Sequence, residues 1–291
     1  MTKRRKTRTN QKRHKPLGAV IAIGNQKGGV GKSTVTVNLA AALGELGHKV
    51  LVIDLDPSGG ATHHLGVDPY AYEGAVELLN QQADPIELAI AEEMPDNVRL
   101  IAARPELSDV ETDRVSLLRA GVVHARKAFD FILLDTPPNP KSPNTFAAYA
   151  TADWFLFVTT PHALSVRGLS EAWRDVDTVR QKANTSLEVL GTVFNAVDTR
   201  SLALRDTKAF LAKHKNLRPF GAKGFIPWSV LPNRAAEQGR TLFQDRRYRY
   251  KPITLRFEQI AAAIADRCIN CKQFLASSAA PKQSKRMKRR A

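Results

Sequence analysis

The chain is poor in cysteine: of its 291 residues only Cys268 and Cys271 are cysteines, spaced C-x-x-C near the C-terminus. That excludes a disulfide-built scaffold, and in a reducing compartment the two need not be bonded. No apolar run is long enough to span a bilayer, and the N-terminus lacks the apolar core of a secretion signal. A cytoplasmic protein is expected, with no membrane among its partners.

Acid is absent from both ends. Met1 to Lys15 carries eight bases (Lys3, Arg4, Arg5, Lys6, Arg8, Lys12, Arg13 and Lys15), and Lys282 to Ala291 carries six (Lys282, Lys285, Arg286, Lys288, Arg289 and Arg290). Without those fourteen the body holds 30 bases against 28 acids, so the formal net charge of +16 belongs almost wholly to the ends. Blocks of this kind are typically disordered and bind polyanions, or else serve as solubilising tails. The expected organisation is a basic arm over 1–16, a globular domain over 17–275 and a basic tail over 276–291. With 43% hydrophobic residues, the body suits one large α/β core.

What is present centres on Gly24-Asn25-Gln26-Lys27-Gly28-Gly29-Val30-Gly31-Lys32-Ser33-Thr34. An apolar run, Ala19 to Ile23, precedes it. A helical pattern (Val35, Val37, Leu39, Ala40, Leu43, Leu46) follows, so the order is strand, loop, helix. Glycines at 28, 29 and 31 let the backbone turn tightly and aim its N–H groups inward, where the helix N-terminus adds its positive end. That is a phosphate cradle, with Lys32 for β- and γ-phosphate oxygens, Ser33 for Mg²⁺ and Thr34 for the α-phosphate. The common G-x-x-x-x-G-K-[ST] loop is not matched strictly, because Gln26 stands where its first glycine belongs.

Lys27-Gly28-Gly29-x-Gly31-Lys32-Ser33-Thr34 instead resembles the deviant Walker A signature of the ParA/MinD superfamily. The resemblance spans about residues 17 to 265, although only the nucleotide motifs are specific. It implies a P-loop NTPase fold with ATP and Mg²⁺ as cofactors, and a Lys27 that crosses a homodimer interface to the partner's nucleotide. Strands alternating with helices predict the same α/β class, a doubly wound, mostly parallel sheet with helices on both faces.

Two apolar runs end in acid. Lys49 to Leu55 leads into Asp54 and Asp56, then Pro57-Ser58-Gly59-Gly60, and Phe129 to Leu134 leads into Asp135-Thr136-Pro137-Pro138. Carboxylates at the C-terminal ends of parallel strands face the ligand crevice. Asp135 looks like a Walker B acid holding the Mg²⁺ water shell with Ser33. The resemblance implies that Asp56 orients the attacking water and that Asp54 assists near the metal. Lys27, Lys32 and Asp56 are thus the candidate catalytic residues; Ser33, Asp54 and Asp135 are the metal candidates.

Further along, helical patterning is expected over Tyr72–Glu92, a strand over Val98–Ala102, a helix over Leu107–Phe129 and a closing helix over Ile253–Leu275. His162 reads as a surface or cap residue. Asn195, ending the strand from Leu187, offers a donor and an acceptor to an adenine edge, or serves a turn. By resemblance, Pro227 lies against the base through its backbone. With these two, the expected ATP-binding set is Lys27, Gly28, Gly29, Val30, Gly31, Lys32, Ser33, Thr34, Asn195 and Pro227. Arg205, Lys208, Lys213, Lys215 and Arg218 lie on or beyond an amphipathic basic pattern, and with Arg234 they are the candidate contacts to DNA phosphates.

The leading reading is a ParA-like ATPase, slow without a partner. It would dimerise with ATP, bind DNA non-specifically, associate with the nucleoid and drive plasmid or chromosome partition. By resemblance its partner is a ParB-like centromere-binding protein. The alternatives are a MinD-like or other cargo-positioning ATPase, disfavoured by the basic, anchor-free C-terminus, and an iron–sulfur carrier ATPase using Cys268 and Cys271.

Overall fold

The computed structural model describes residues 18–80, 83–198, 200–213, 217, 219–220 and 224–278. Both basic ends therefore lie outside the described residues, as do Lys215 and Arg218.

Seven strands form one sheet: β1 (Ala19–Gly24), β2 (Val50–Asp54), β3 (Val98–Ile101), β4 (Phe131–Asp135), β5 (Trp154–Thr159), β6 (Glu188–Val197) and β7 (Phe225–Pro227). Their spatial order is β3-β2-β4-β1-β5-β6-β7. Every pairing of named strands is parallel, which sharpens the expected "mostly parallel". The antiparallel contact among the described residues is a single bridge, Ile90 to Leu100. Parallel strands need crossovers, and the helices that supply them cover both faces, so each strand reads as continuous apolar sequence.

Alternation along β1 assigns the two faces. Ile21 and Ile23 pack with α1 (Lys32–Glu45) and α9 (Pro252–Ser278). Val20 and Ala22 join the opposite core, with residues of α3 (Ala75–Leu79), α4 (Arg114–Ala125), α5 (Pro143–Thr151), α6 (Ala163–Lys182) and α7 (Leu202–Lys213). Two shorter helices, α2 (Gly60–His64) and α8 (Leu231–Ala236), complete the α1 side and touch each other. Among the described residues no helix is long and apolar enough to cross a membrane.

Element bounds differ from the sequence reading where side chains cap. The helix expected from Leu107 begins at Arg114, because the Asp113 carboxylate accepts from the Ser116 N–H (3.2 Å); Pro105–Ser108 forms a separate 3-10 turn. Beyond α3 the apolar residues Leu88 and Ile90 belong to a turn and to the bridge to Leu100, not to a helix. Asp84 and Pro85 start that turn, with Asp84 accepting from the Ile86 N–H (2.8 Å).

Candidate nucleotide site

The phosphate loop joins β1 to α1 at the centre of the sheet. The strand order reverses there, so α/β ligands bind beyond the strand ends at this point. Gly31 is the N-cap of α1 with φ 87°, and no side chain caps the helix. The N–H groups of the first turn keep their donors for an anion. A Cβ on Gly31 would collide with the Asn195 amide, and the left-handed φ favours glycine independently.

Asn25 anchors the loop from below, donating to the Val158 carbonyl (2.7 Å) and accepting from the Lys27 N–H (3.2 Å). Gln26 hydrogen-bonds Asp175 on α6. The Lys27 ammonium donates to Ser165 Oγ (2.9 Å), which is also paired with Thr160 Oγ1 (2.8 Å). In this conformation Lys27 is therefore held within its own chain.

Lys32 opens α1 and is buried; burial lowers its pKa, while Asp135 and Asp56 pull it back up. Beneath it, Asp54 and Asp135 are register partners at the ends of β2 and β4, both fully buried. Burial raises both carboxyls, and Asp135 pushes Asp54 higher still. Their hydrogen bonding differs. Asp54 Oδ1 accepts from the Asp56 N–H (3.1 Å), and Oδ2 accepts from Ala61 N, Thr62 N and Thr62 Oγ1 (3.0, 2.9 and 2.8 Å). Asp135 Oδ1 accepts from Thr36 Oγ1 (2.9 Å), whereas its buried Oδ2 makes no close hydrogen bond; the Ser33 hydroxyl beside the carboxyl, with Thr36 and Lys32, offsets part of the rise.

An orphaned carboxylate oxygen beside a serine hydroxyl is an all-oxygen donor set that fits a hard cation such as Mg²⁺. The packing keeps the pair open: a Cβ on Gly60 would strike the Ser33 hydroxyl. Mg²⁺ uses few protein ligands and takes the rest from water and phosphate. That agrees with the absence of any group of three or more metal-binding side chains among the described residues. Asp54 stands beside this pair at the end of β2, and its four hydrogen bonds tie the loop carrying Asp56 to the start of α2.

Asp56 itself is half-buried, and its Oδ1 accepts from the Ser58 N–H (3.0 Å). Ser33 and Thr34 lie half-buried in the first turn of α1, and Gly28 and Gly29 are exposed on the loop. Asn195 reaches the phosphate loop, its amide donating to the Val30 carbonyl (3.1 Å). Pro227 ends β7 two residues along the β6 register, opposite Val197, which puts both expected base contacts at one flank of the loop. The Thr136 hydroxyl donates to the Ile23 carbonyl (2.8 Å), tying the second acidic loop to β1.

Thr36 and Thr62 have no place in the motif reading, although each binds one of the paired carboxylates. Thr36 stands one helical turn after Lys32, which was the available signal. Of the expected DNA contacts, Arg205 on α7 and Arg234 on α8 are exposed, while the side chains of Lys208 and Lys213 lie outside the described ones. Cys268 packs in the core against the α1 face of the sheet; the side chain of Cys271 is outside the described ones. His162 is the exposed N-cap residue of α6, as expected.

Residues 18–189 match the AAA_31 family, an AAA domain. The chromosome-partitioning ATPase Soj of Thermus thermophilus is 36% identical over 230 residues, 77% of this chain and 87% of that protein. The chromosome partitioning protein ParA of Caulobacter vibrioides is 31% identical over 233 residues, 76% and 85% of the two chains. Among solved structures, cobyrinic acid a,c-diamide synthase from Mycobacterium smegmatis with bound ADP and magnesium superposes with TM-score 0.71 at 25% identity, covering 85% of this chain and 94% of that one. The cell division ATPase MinD of Pyrococcus furiosus shares the fold, with TM-score 0.70 at 24% identity over 86% and 99% of the chains. Loop, paired acids, fold and relatives agree: the chain belongs to the AAA_31 family and is a member of the ParA/MinD superfamily of deviant Walker A ATPases.

Proposed function

We propose that the chain is a ParA-type partition ATPase that binds ATP with Mg²⁺, dimerises, holds DNA without sequence preference and releases it on hydrolysis. The observation that carries the catalytic half is the orphaned Asp135 Oδ2 beside Ser33, under an uncapped helix that begins with Lys32. Ser33 and Asp135 hold the metal, which when bound neutralises charge on the terminal phosphates. Gly28, Gly29, Val30, Gly31, Lys32 and Thr34 surround the phosphates, with Asn195 and Pro227 beside the base.

Asp56 orients the water that attacks the γ-phosphorus. Turnover stays slow until a ParB-like partner completes the site around this half-exposed carboxylate. Lys27 leaves Ser165 and reaches the nucleotide of the second subunit. Arg205 and Arg234 contact DNA phosphates, Lys208, Lys213, Lys215 and Arg218 are the further candidate contacts, and DNA binding brings the cytoplasmic protein to the nucleoid. The relatives named for chromosome partitioning support the cargo assignment.

The test is DNA binding with no nucleotide, with ADP and with ATP across a salt series, alongside phosphate release. ATP-dependent binding in the wild type, lost in Lys27→Ala, is expected, and the salt slope counts phosphate contacts. Binding that ignores nucleotide would overturn the dimer-switched reading. Unchanged turnover in Asp56→Ala would remove that residue from the catalytic set.

A further inference from the structure

The strongest unexplained feature lies away from the nucleotide, along the β3 edge of the sheet. Residues 65–98 contain eight acids (Asp68, Glu73, Glu77, Asp84, Glu87, Glu92, Glu93 and Asp96) and no Lys, Arg or His, in a chain of net charge +16. Glu77 is paired with Arg104 and Asp84 with His124. Glu73, Glu87, Glu92, Glu93 and Asp96 are exposed and form no ion pair among the described residues. Exposed apolar groups stand among them: Tyr72 at 39% and Ile86 at 41%.

Two adjoining cavities open here. The outer one, about 390 Å³, is lined by Tyr72, Ile86, Glu73, Glu87 and Glu92 among others. The inner one, about 540 Å³, shares Ile86, Ala91 and Arg99 with it and runs to Asp96, Ala128 and Phe129. Of the two bases at the groove, Arg99 turns its guanidinium to the Ala89 carbonyl (3.3 Å). Lys49 lines only the inner cavity.

The inner end of the groove is where the N-terminal arm begins. Gly18, the first described residue, donates its N–H to the Arg126 carbonyl (3.1 Å) and packs so closely on Phe129 that a Cβ there would collide with the Phe129 carbonyl. Seventeen residues precede Gly18; fully extended they reach at most about 55 Å. They carry eight bases and no acid.

We propose that the acidic groove is the docking site of this chain's own N-terminal arm, residues 1–17, bound in cis. Lys and Arg head groups meet Glu73, Glu87, Glu92 and Asp96, while their aliphatic stems lie on Tyr72 and Ile86. Tethering supplies an effective concentration on the order of millimolar, so a contact too weak to hold a free peptide holds this one. The arm then has two exclusive occupants, the groove and an external polyanion. Polyanion binding must displace it, and salt loosens both contacts by screening. The proposal is independent of the ATPase reading.

The test uses the full chain, treated at low protein concentration and about 50 mM salt with a zero-length carbodiimide that joins lysines to carboxylates. Cross-links within one molecule from Lys3, Lys6, Lys12 or Lys15 to Glu73, Glu87 or Glu92 are expected, and they should fall at least tenfold at 0.5 M salt. Cross-links scattered over Glu171, Glu188 and Glu258, cross-links to the groove from Lys282, Lys285 or Lys288 instead, or cross-links only between molecules would overturn it. A second arm measures anisotropy of a labelled peptide of residues 2–15. The shortened chain, lacking residues 1–15, is used once its circular dichroism and thermal melting match those of the full chain. That shortened chain should bind the peptide at least tenfold more tightly than the full chain does. Adding Glu73→Gln, Glu87→Gln and Glu92→Gln to the shortened chain should remove the gain without moving its melting temperature. Equal binding by full and shortened chains would mean that the groove stands open to a partner's basic segment, and the cis assignment would fail.

Discussion

The ends of β2 and β4 present the same residue in the same register, and the two aspartates have opposite fates. Asp54 accepts four hydrogen bonds, while Asp135 accepts one close bond, from Thr36, and leaves its other oxygen to the neighbouring Ser33 hydroxyl. Both pay the desolvation of a buried carboxylate. The four bonds of the first tie down the Asp56 loop; the second keeps an oxygen that a hard cation fits. A buried acid at a strand end is thus no guide to its role until its donors are counted.

The largest expected effect is on activity. Asp135→Asn should cut Mg²⁺-dependent phosphate release by roughly a hundredfold or more, with the smaller change in melting temperature set by relief of carboxylate repulsion against the lost attraction to Lys32. Unchanged Mg²⁺-dependent release would remove Asp135 from the metal set. Asp54→Ala should instead cost about 3 kcal/mol or more in denaturant unfolding, because four donors lose their acceptor. Thr36→Val, which leaves the Asp135 carboxylate unsteered, should raise the Mg²⁺ concentration for half-maximal activity by about tenfold, with little change in stability.

The smallest effect is a pH dependence. Folding raises both carboxyl pKa values, so across the window that begins at the ordinary carboxylate value of 3.8 and ends at the raised ones the native state binds more protons than the unfolded one. Stability of the nucleotide-free protein should therefore decline as pH rises from about 4 through neutrality. Saturating Mg²⁺ with nucleotide should flatten that decline. A melting temperature independent of pH over this window would show that the two charges are not in conflict.

How much of this was legible in sequence follows from range. The phosphate loop is contiguous, and its glycines and lysines carry their own geometry, so Gly31, Lys32 and Ser33 could be read directly. The strand ends at Asp54 and Asp135 could be read because apolar runs terminate there, whereas β6 runs past the expected end at Asn195 to Val197. The difference between Asp54 and Asp135 could not be, because it depends on Thr36 and Thr62, hydroxyls brought under the strands only by helix packing. The start of α4 was hidden similarly: apolar periodicity runs on through Leu107, and only the Asp113 side chain breaks it. The acid-only stretch was visible as composition, but its position beside Gly18 is a product of topology.

The bond between Lys27 and Ser165 bears on timing. If Lys27 serves a second subunit, each monomer must first release it, and a net hydrogen-bond contribution of about 1 kcal/mol leaves only about one molecule in six ready at any instant. Association would then be gated by a preequilibrium inside each subunit. Because two subunits must be ready together, the penalty on dimer assembly is squared, to about fortyfold. A single serine hydroxyl could in this way set the concentration at which the protein begins to pair.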